Sequence, residues 1–312
     1  MKRLLAIFGA GLLGAAAVHA QAPSCATPGT DNAFLGIQTL RLWPGPAPEA
    51  KGDGCYDIPA LTIFEPQPGT GNGSAVIIFP GGGYSHLAGN LEGRQIADWF
   101  TARGFIAFIL SYRLPSHGYL LPVPLLDARR AIQTVRARAA DYHIAPDRIV
   151  VIGFSAGGHL AALAATKFVP GDPNAADAID RTSSRPDFLV LGYPWIDAVS
   201  SDTSHLSYCK EFNLMDQCAA LRAQFDPDLF VTKDTPPTFI YHTFDDQTVP
   251  IEQSMGFFEA LVKAGVQTEY HVFAHGAHGS GLGRGDPALD QWPNLLENWL
   301  RAKGLLTAKG SF

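Results

Sequence analysis

The chain has 312 residues, 46% hydrophobic and 17% charged, enough to bury a full core within one α/β domain. Its 29 acidic residues outnumber 23 basic ones and no Lys/Arg cluster stands out, which argues against nucleic acid or an anionic membrane surface as partner. Beyond the first twenty residues no apolar run approaches the roughly 18 residues of a membrane span.

Residues 1–20 read as a secretory leader. Lys2 and Arg3 supply the positive start, Leu4 to Val18 the apolar stretch, and Val18-His19-Ala20 the small-x-small cleavage site. Cleavage near Ala20 leaves 21 basic against 29 acidic residues, a net charge of about −8, and predicts a periplasmic or extracellular protein. In that oxidising setting four cysteines permit two disulfides, and proximity favours Cys25–Cys55 and Cys209–Cys218. No Cys-x-x-Cys or His-rich spacing suggests a metal site.

Residues 21–34 are small and polar, an expected loose arm. Ala60 to Glu65 predicts a strand, followed by a Pro/Gly/Asn turn over 66–74. Ala75 to Phe79 is a continuous apolar run ended by Pro80 and three glycines, as in a central strand buried on both faces. Helices are predicted over 94–103, 127–142, 156–168, 252–264 and 289–303. Strands are predicted over 105–110, 148–153, 188–192, 238–242 and 267–273. This alternation predicts an α/β fold, a mostly parallel sheet with helices on both faces. Residues 199–235 break the rhythm and predict a small cap inserted near the strand ends, where such sheets place ligands.

Gly153-Phe154-Ser155-Ala156-Gly157 matches the G-x-S-x-G nucleophile elbow. The pentapeptide is a weak signal alone, but it follows the apolar Ile149–Ile152 and precedes a helix-forming segment, the context it requires. Ser155 then sits at a helix N-terminus, where developing negative charge is favoured. A serine hydroxyl needs a positioned base. His278, in Gly276-Ala277-His278-Gly279 after the last strand, is preferred over His275. Other histidines, including His86, His159 and His242, read as structural. The acid should leave the preceding strand, and Asp246 is preferred over its neighbour Asp245, with Asp197 third. Pro80-Gly81-Gly82-Gly83-Tyr84 predicts an oxyanion loop, its donors the amides of Gly82, Gly83 and Ala156.

At these residues the chain resembles the esterase/lipase branch of the α/β-hydrolase superfamily, in particular bacterial acetyl-esterase and acetylxylan-esterase-like proteins. The resemblance rests on Leu42–Gly45, Phe79–Tyr84, Ser111–Pro115, Pro146–Ile149, Gly153–Leu160, Thr235–Phe239 and Asp246–Pro250. It implies a Ser155–His278–Asp246 triad, no cofactor, and hydrolysis of small acyl esters, often acetyl groups on plant polysaccharides. Pro80 departs from hormone-sensitive-lipase-like relatives, which carry a histidine there, so the loop must be anchored differently. Tyr84, Trp195 and Tyr208, near the predicted strand ends, are candidates for a sugar platform. Two alternatives stand beside the esterase: a serine peptidase of the same fold and a non-catalytic binding module.

Overall fold

In the computed structural model, which describes residues 37–202 and 204–306, the apolar run Ala75–Phe79 is a strand buried at every position. It has paired strands on both sides and helices above and below, so every side chain meets other protein. Eight strands form one sheet: β1 (Thr39–Arg41), β2 (Ala60–Phe64), β3 (Ala75–Phe79), β4 (Ile106–Ser111), β5 (Ile149–Phe154), β6 (Phe188–Gly192), β7 (Thr238–Thr243) and β8 (Thr268–Phe273). Their spatial order is β1-β2-β4-β3-β5-β6-β7-β8. The β1–β2 and β2–β4 pairs are antiparallel, and the pairings from β4 through β8 are parallel.

Successive side chains alternate between two cores, as the pleat dictates. Ile77, Phe79, Phe108, Val151 and Leu191 face one core, covered by α2 (Val123–Ala137), α3 (Ser155–Thr166) and α6 (Ile251–Lys263). Val76, Ile78, Ile109, Val150 and Val190 face the other, under α1 (Gln95–Thr101) and α7 (Trp292–Ala302). This is the α/β-hydrolase architecture.

Two element boundaries differ from expectation. Helix α2 starts at Val123 rather than residue 127, because Pro124 lies in its first turn, where a missing N–H costs nothing. It ends at Ala137, and the predicted last turns to residue 142 are a turn segment instead. Strand β1 escapes prediction: three residues, two of them exposed, carry no usable periodicity. After β4, Arg113 forks onto Asp127 of α2 at 2.7 Å in full burial, tying sheet to helix.

Residues 199–235 include two short helices, α4 (Tyr208–Glu211) and α5 (Cys218–Phe225). The disulfide Cys209–Cys218 links them across nine residues. The Tyr208 hydroxyl accepts the Leu121 N–H at 3.0 Å, and the Phe225 carbonyl accepts His159 Nε2–H at 2.8 Å. The leader, the arm to residue 34 and Cys25 lie outside the described residues, so the Cys25–Cys55 pairing does too. No described helix is long and apolar enough to cross a membrane.

Candidate active site

Strand β5 ends at Phe154 and α3 begins at the next residue, so the chain turns on Ser155 itself. Ser155 takes φ +51°, the left-handed region that costs a residue with a Cβ. The turn also forces backbones together: a Cβ on Gly157 would lie 2.1 Å from the Phe79 carbonyl oxygen, and one on Gly153 2.3 Å from the Gly157 carbonyl oxygen. Both glycines of the pentapeptide are therefore steric necessities.

Parallel strands place their C-terminal ends along one edge, and β7 and β8 bring the remaining partners there. His278 Nε2 lies 2.8 Å from Ser155 Oγ, and His278 Nδ1 lies 2.7 Å from Asp246 Oδ2. His275 is exposed and pairs instead with Asp245 at 3.0 Å, while Asp197 lies 3.5 Å from Arg222. The Thr248 and Val249 amides donate to the second Asp246 oxygen at 2.8 and 2.9 Å. Sequence reading treats His242 as structural; it is buried and satisfied, and one of its partners is Asp246. His242 Nε2 faces Asp246 Oδ2 at 3.2 Å and the Val249 carbonyl at 3.0 Å, two acceptors that assign its proton to Nε2. Burial works to raise the Asp246 carboxyl, but the bonds from His242, His278 and Val249 outweigh it and hold it well below the usual carboxylate range.

The glycine loop reaches the serine because of sheet register. Phe79 pairs with Gly153, so the chain leaving β3 runs against the turn leaving β5. A Cβ on Gly81 would lie 2.9 Å from the Ser155 Cβ. Gly82, at φ +118°, turns the loop, and its carbonyl accepts the Ser85 and His86 amides at 3.0 and 3.2 Å. Among the described residues the Gly82, Gly83 and Ala156 amides have no protein acceptor. The anchoring that Pro80 calls into question comes from elsewhere. The Tyr112 hydroxyl donates to the Pro80 carbonyl at 2.8 Å, and the Gly81 amide donates to Glu92 Oε2 at 2.7 Å.

Glu92 carried no signal in the sequence, where it is one polar residue between loop and helix. It lies in a single π turn, Asn90–Arg94, which runs into α1 and turns the carboxylate inward.

One expectation fails. Tyr84, Trp195 and Tyr208 are all 0% exposed and offer no face to a sugar. They pack on one another beneath the loop, with Tyr84–Tyr208 centroids 5.5 Å apart and Tyr84–Trp195 6.3 Å apart. The Tyr84 hydroxyl is further held 2.6 Å from His159 Nδ1. Aromatics near strand ends fit a platform or a core equally in sequence, and here the loop folds over them. Among the described residues no group of three His, Cys, Asp or Glu side chains is placed to hold a metal ion.

The BD-FAE family matches residues 61–261. An acetylxylan esterase of Xylanibacter ruminicola is 31% identical over 236 residues, covering 74% of this chain and 46% of its own. The endo-1,4-beta-xylanase B of Butyrivibrio fibrisolvens is 32% identical over 210 residues, covering 65% and 32%. The chain thus spans about half or less of these curated relatives. Among solved structures, an acetyl ester-xyloside bifunctional hydrolase from Caldicellulosiruptor lactoaceticus superposes with TM-score 0.76 and 35% identity, covering 86% of this chain and 97% of its own. A thermophilic esterase from Thermogutta terrifontis gives TM-score 0.70 and 29% identity, covering 89% and 96%.

Proposed function

We propose that this chain, which belongs to the BD-FAE family, is a serine carboxylic ester hydrolase that removes short acyl groups, chiefly acetyl, from xylan or its oligosaccharides. The hydrogen-bonded file Ser155 Oγ–His278–Asp246, at 2.8 and 2.7 Å, carries the reading. Ser155 attacks the ester carbonyl while His278 Nε2 takes its proton. Asp246 holds the imidazole by Nδ1 and stabilises the imidazolium. The Gly82, Gly83 and Ala156 amides receive the oxyanion at the positive end of α3. His278 returns the proton to the departing sugar oxygen, leaving acetyl-Ser155; water, deprotonated by the same ring, attacks that ester, and the proton returns to Ser155 Oγ as acetate leaves.

Ser155 is only 5% exposed, which favours a small acyl group. The xylan part of the reading rests on the named activities of the Xylanibacter, Butyrivibrio and Caldicellulosiruptor proteins. A polymeric substrate calls for action outside the cell, consistent with the leader expected at residues 1–20 and with the Cys209–Cys218 disulfide.

The test is acetate release from acetylated xylan and from 4-nitrophenyl acetate, by wild type and Ser155→Ala. Release from both substrates, lost on mutation, is the expected result. Ser155-dependent activity on the small ester alone would remove xylan from the proposal. Undiminished Ser155→Ala would remove the nucleophile.

A further inference from the structure

We infer that Glu92 is a positioning residue that joins the oxyanion loop to the histidine loop. The inference rests on the triad reading above and adds a fourth participant to it.

Glu92 is 3% exposed, and both of its oxygens are engaged. Oε2 accepts the Gly81 N–H at 2.7 Å, which holds the first glycine of the loop beside Ser155. Oε1 accepts the Tyr193 hydroxyl at 2.8 Å, and the Tyr193 oxygen in turn accepts the Gly281 N–H at 3.0 Å. Gly281 lies three residues beyond His278. The path Gly81–Glu92–Tyr193–Gly281 therefore spans the two loops that must keep register for attack and proton transfer. The Gly281 carbonyl is also fixed, by the Tyr241 hydroxyl and Trp292 Nε1, each at 3.0 Å. The Tyr193 ring meets the His278 ring edge-on at 5.0 Å, between the imidazole and Glu92.

The donors suit a carboxylate rather than an acid. Burial holds the Glu92 carboxyl above its usual range, and Tyr193, the Gly81 amide and His278 offset it only in part. The titratable groups facing Glu92 are Tyr112 after β4, Tyr193 after β6, Tyr241 in β7 and His278. Those facing His278 are Asp246, Glu92 and Tyr193, with His242 behind Asp246. Arg94, on the same π turn, lies 3.9 Å from Asp98 at the surface. Asp245 and His275 pair with each other.

The experiment compares kcat and KM of wild type, Glu92→Gln, Tyr193→Phe and Ser155→Ala on 4-nitrophenyl acetate. For Glu92→Gln, kcat falls about 10- to 100-fold while KM stays within about threefold, because loop register and not binding is lost. Tyr193→Phe leaves Glu92 in place and cuts the link to Gly281, so its kcat falls at an unchanged KM.

Unchanged kcat in Glu92→Gln, or a loss carried by KM instead, overturns the positioning role. If Glu92→Gln fails to fold, Tyr193→Phe decides: unchanged kcat refutes the link between the loops, and a reduced kcat at unchanged KM supports it. Ser155→Ala separates the two levels. Its retained activity sinks the triad, whereas inactive Ser155→Ala beside fully active Glu92→Gln sinks this inference alone.

Discussion

His159 should make the stability of the protein depend on pH in a way that one substitution removes. The ring is fully buried in α3; Nε2–H donates to the Phe225 carbonyl at 2.8 Å and Nδ1 lies 2.6 Å from the Tyr84 hydroxyl, which donates to it. Burial lowers the imidazole from an ordinary 6.5 to about 4, opposed only in part by the Phe225 bond. Between those values the unfolded chain holds a proton that the folded one does not. Protonation there favours unfolding, so the contribution is complete above 6.5 and lost as pH falls toward 4. The gap corresponds to about 3 kcal/mol. Urea unfolding followed by tryptophan fluorescence, across that window, measures it. His159→Gln retains a donor for Phe225 but cannot titrate, so its stability should fall less steeply than wild type by that amount. Parallel losses in the two proteins would refute the assignment of a neutral, buried ring.

Asp246→Asn should lower kcat about 10⁴-fold by supporting the wrong imidazole tautomer, while Asp245→Asn, whose partner is exposed His275, should stay within about threefold. Initial rates on 4-nitrophenyl acetate separate the neighbours, and equal losses would undo the assignment. Replacing Cys209 and Cys218 by serine opens a loop spanning nine residues and should cost about 2–3 kcal/mol in chemical unfolding, with no loss in wild type under non-reducing conditions.

The parts of this site legible in sequence are those whose signal is local. Ala75–Phe79 and Ile149–Ile152 are apolar throughout because they are buried on both faces, and the glycines at 153 and 157 answer clashes within one turn. The order serine, acid, histidine follows from strand order. Glu92 was not legible, because its burial depends on register between β3 and β5, set by residues far from it in the chain. Tyr193 was hidden for the same reason: its hydroxyl has meaning only once Gly281 and Glu92 are beside it. Tyr84, Trp195 and Tyr208 misled because an aromatic side chain looks alike whether it lines a mouth or fills the space below one.

The segment between β6 and β7 is tied to the rest of the domain at Leu121 and His159, and braced within itself by the Tyr208–Ala198 bond and the Cys209–Cys218 disulfide. A flap hung on one hinge can swing aside at little cost, but a piece pinned at two separate places and braced within must give up several bonds before it moves.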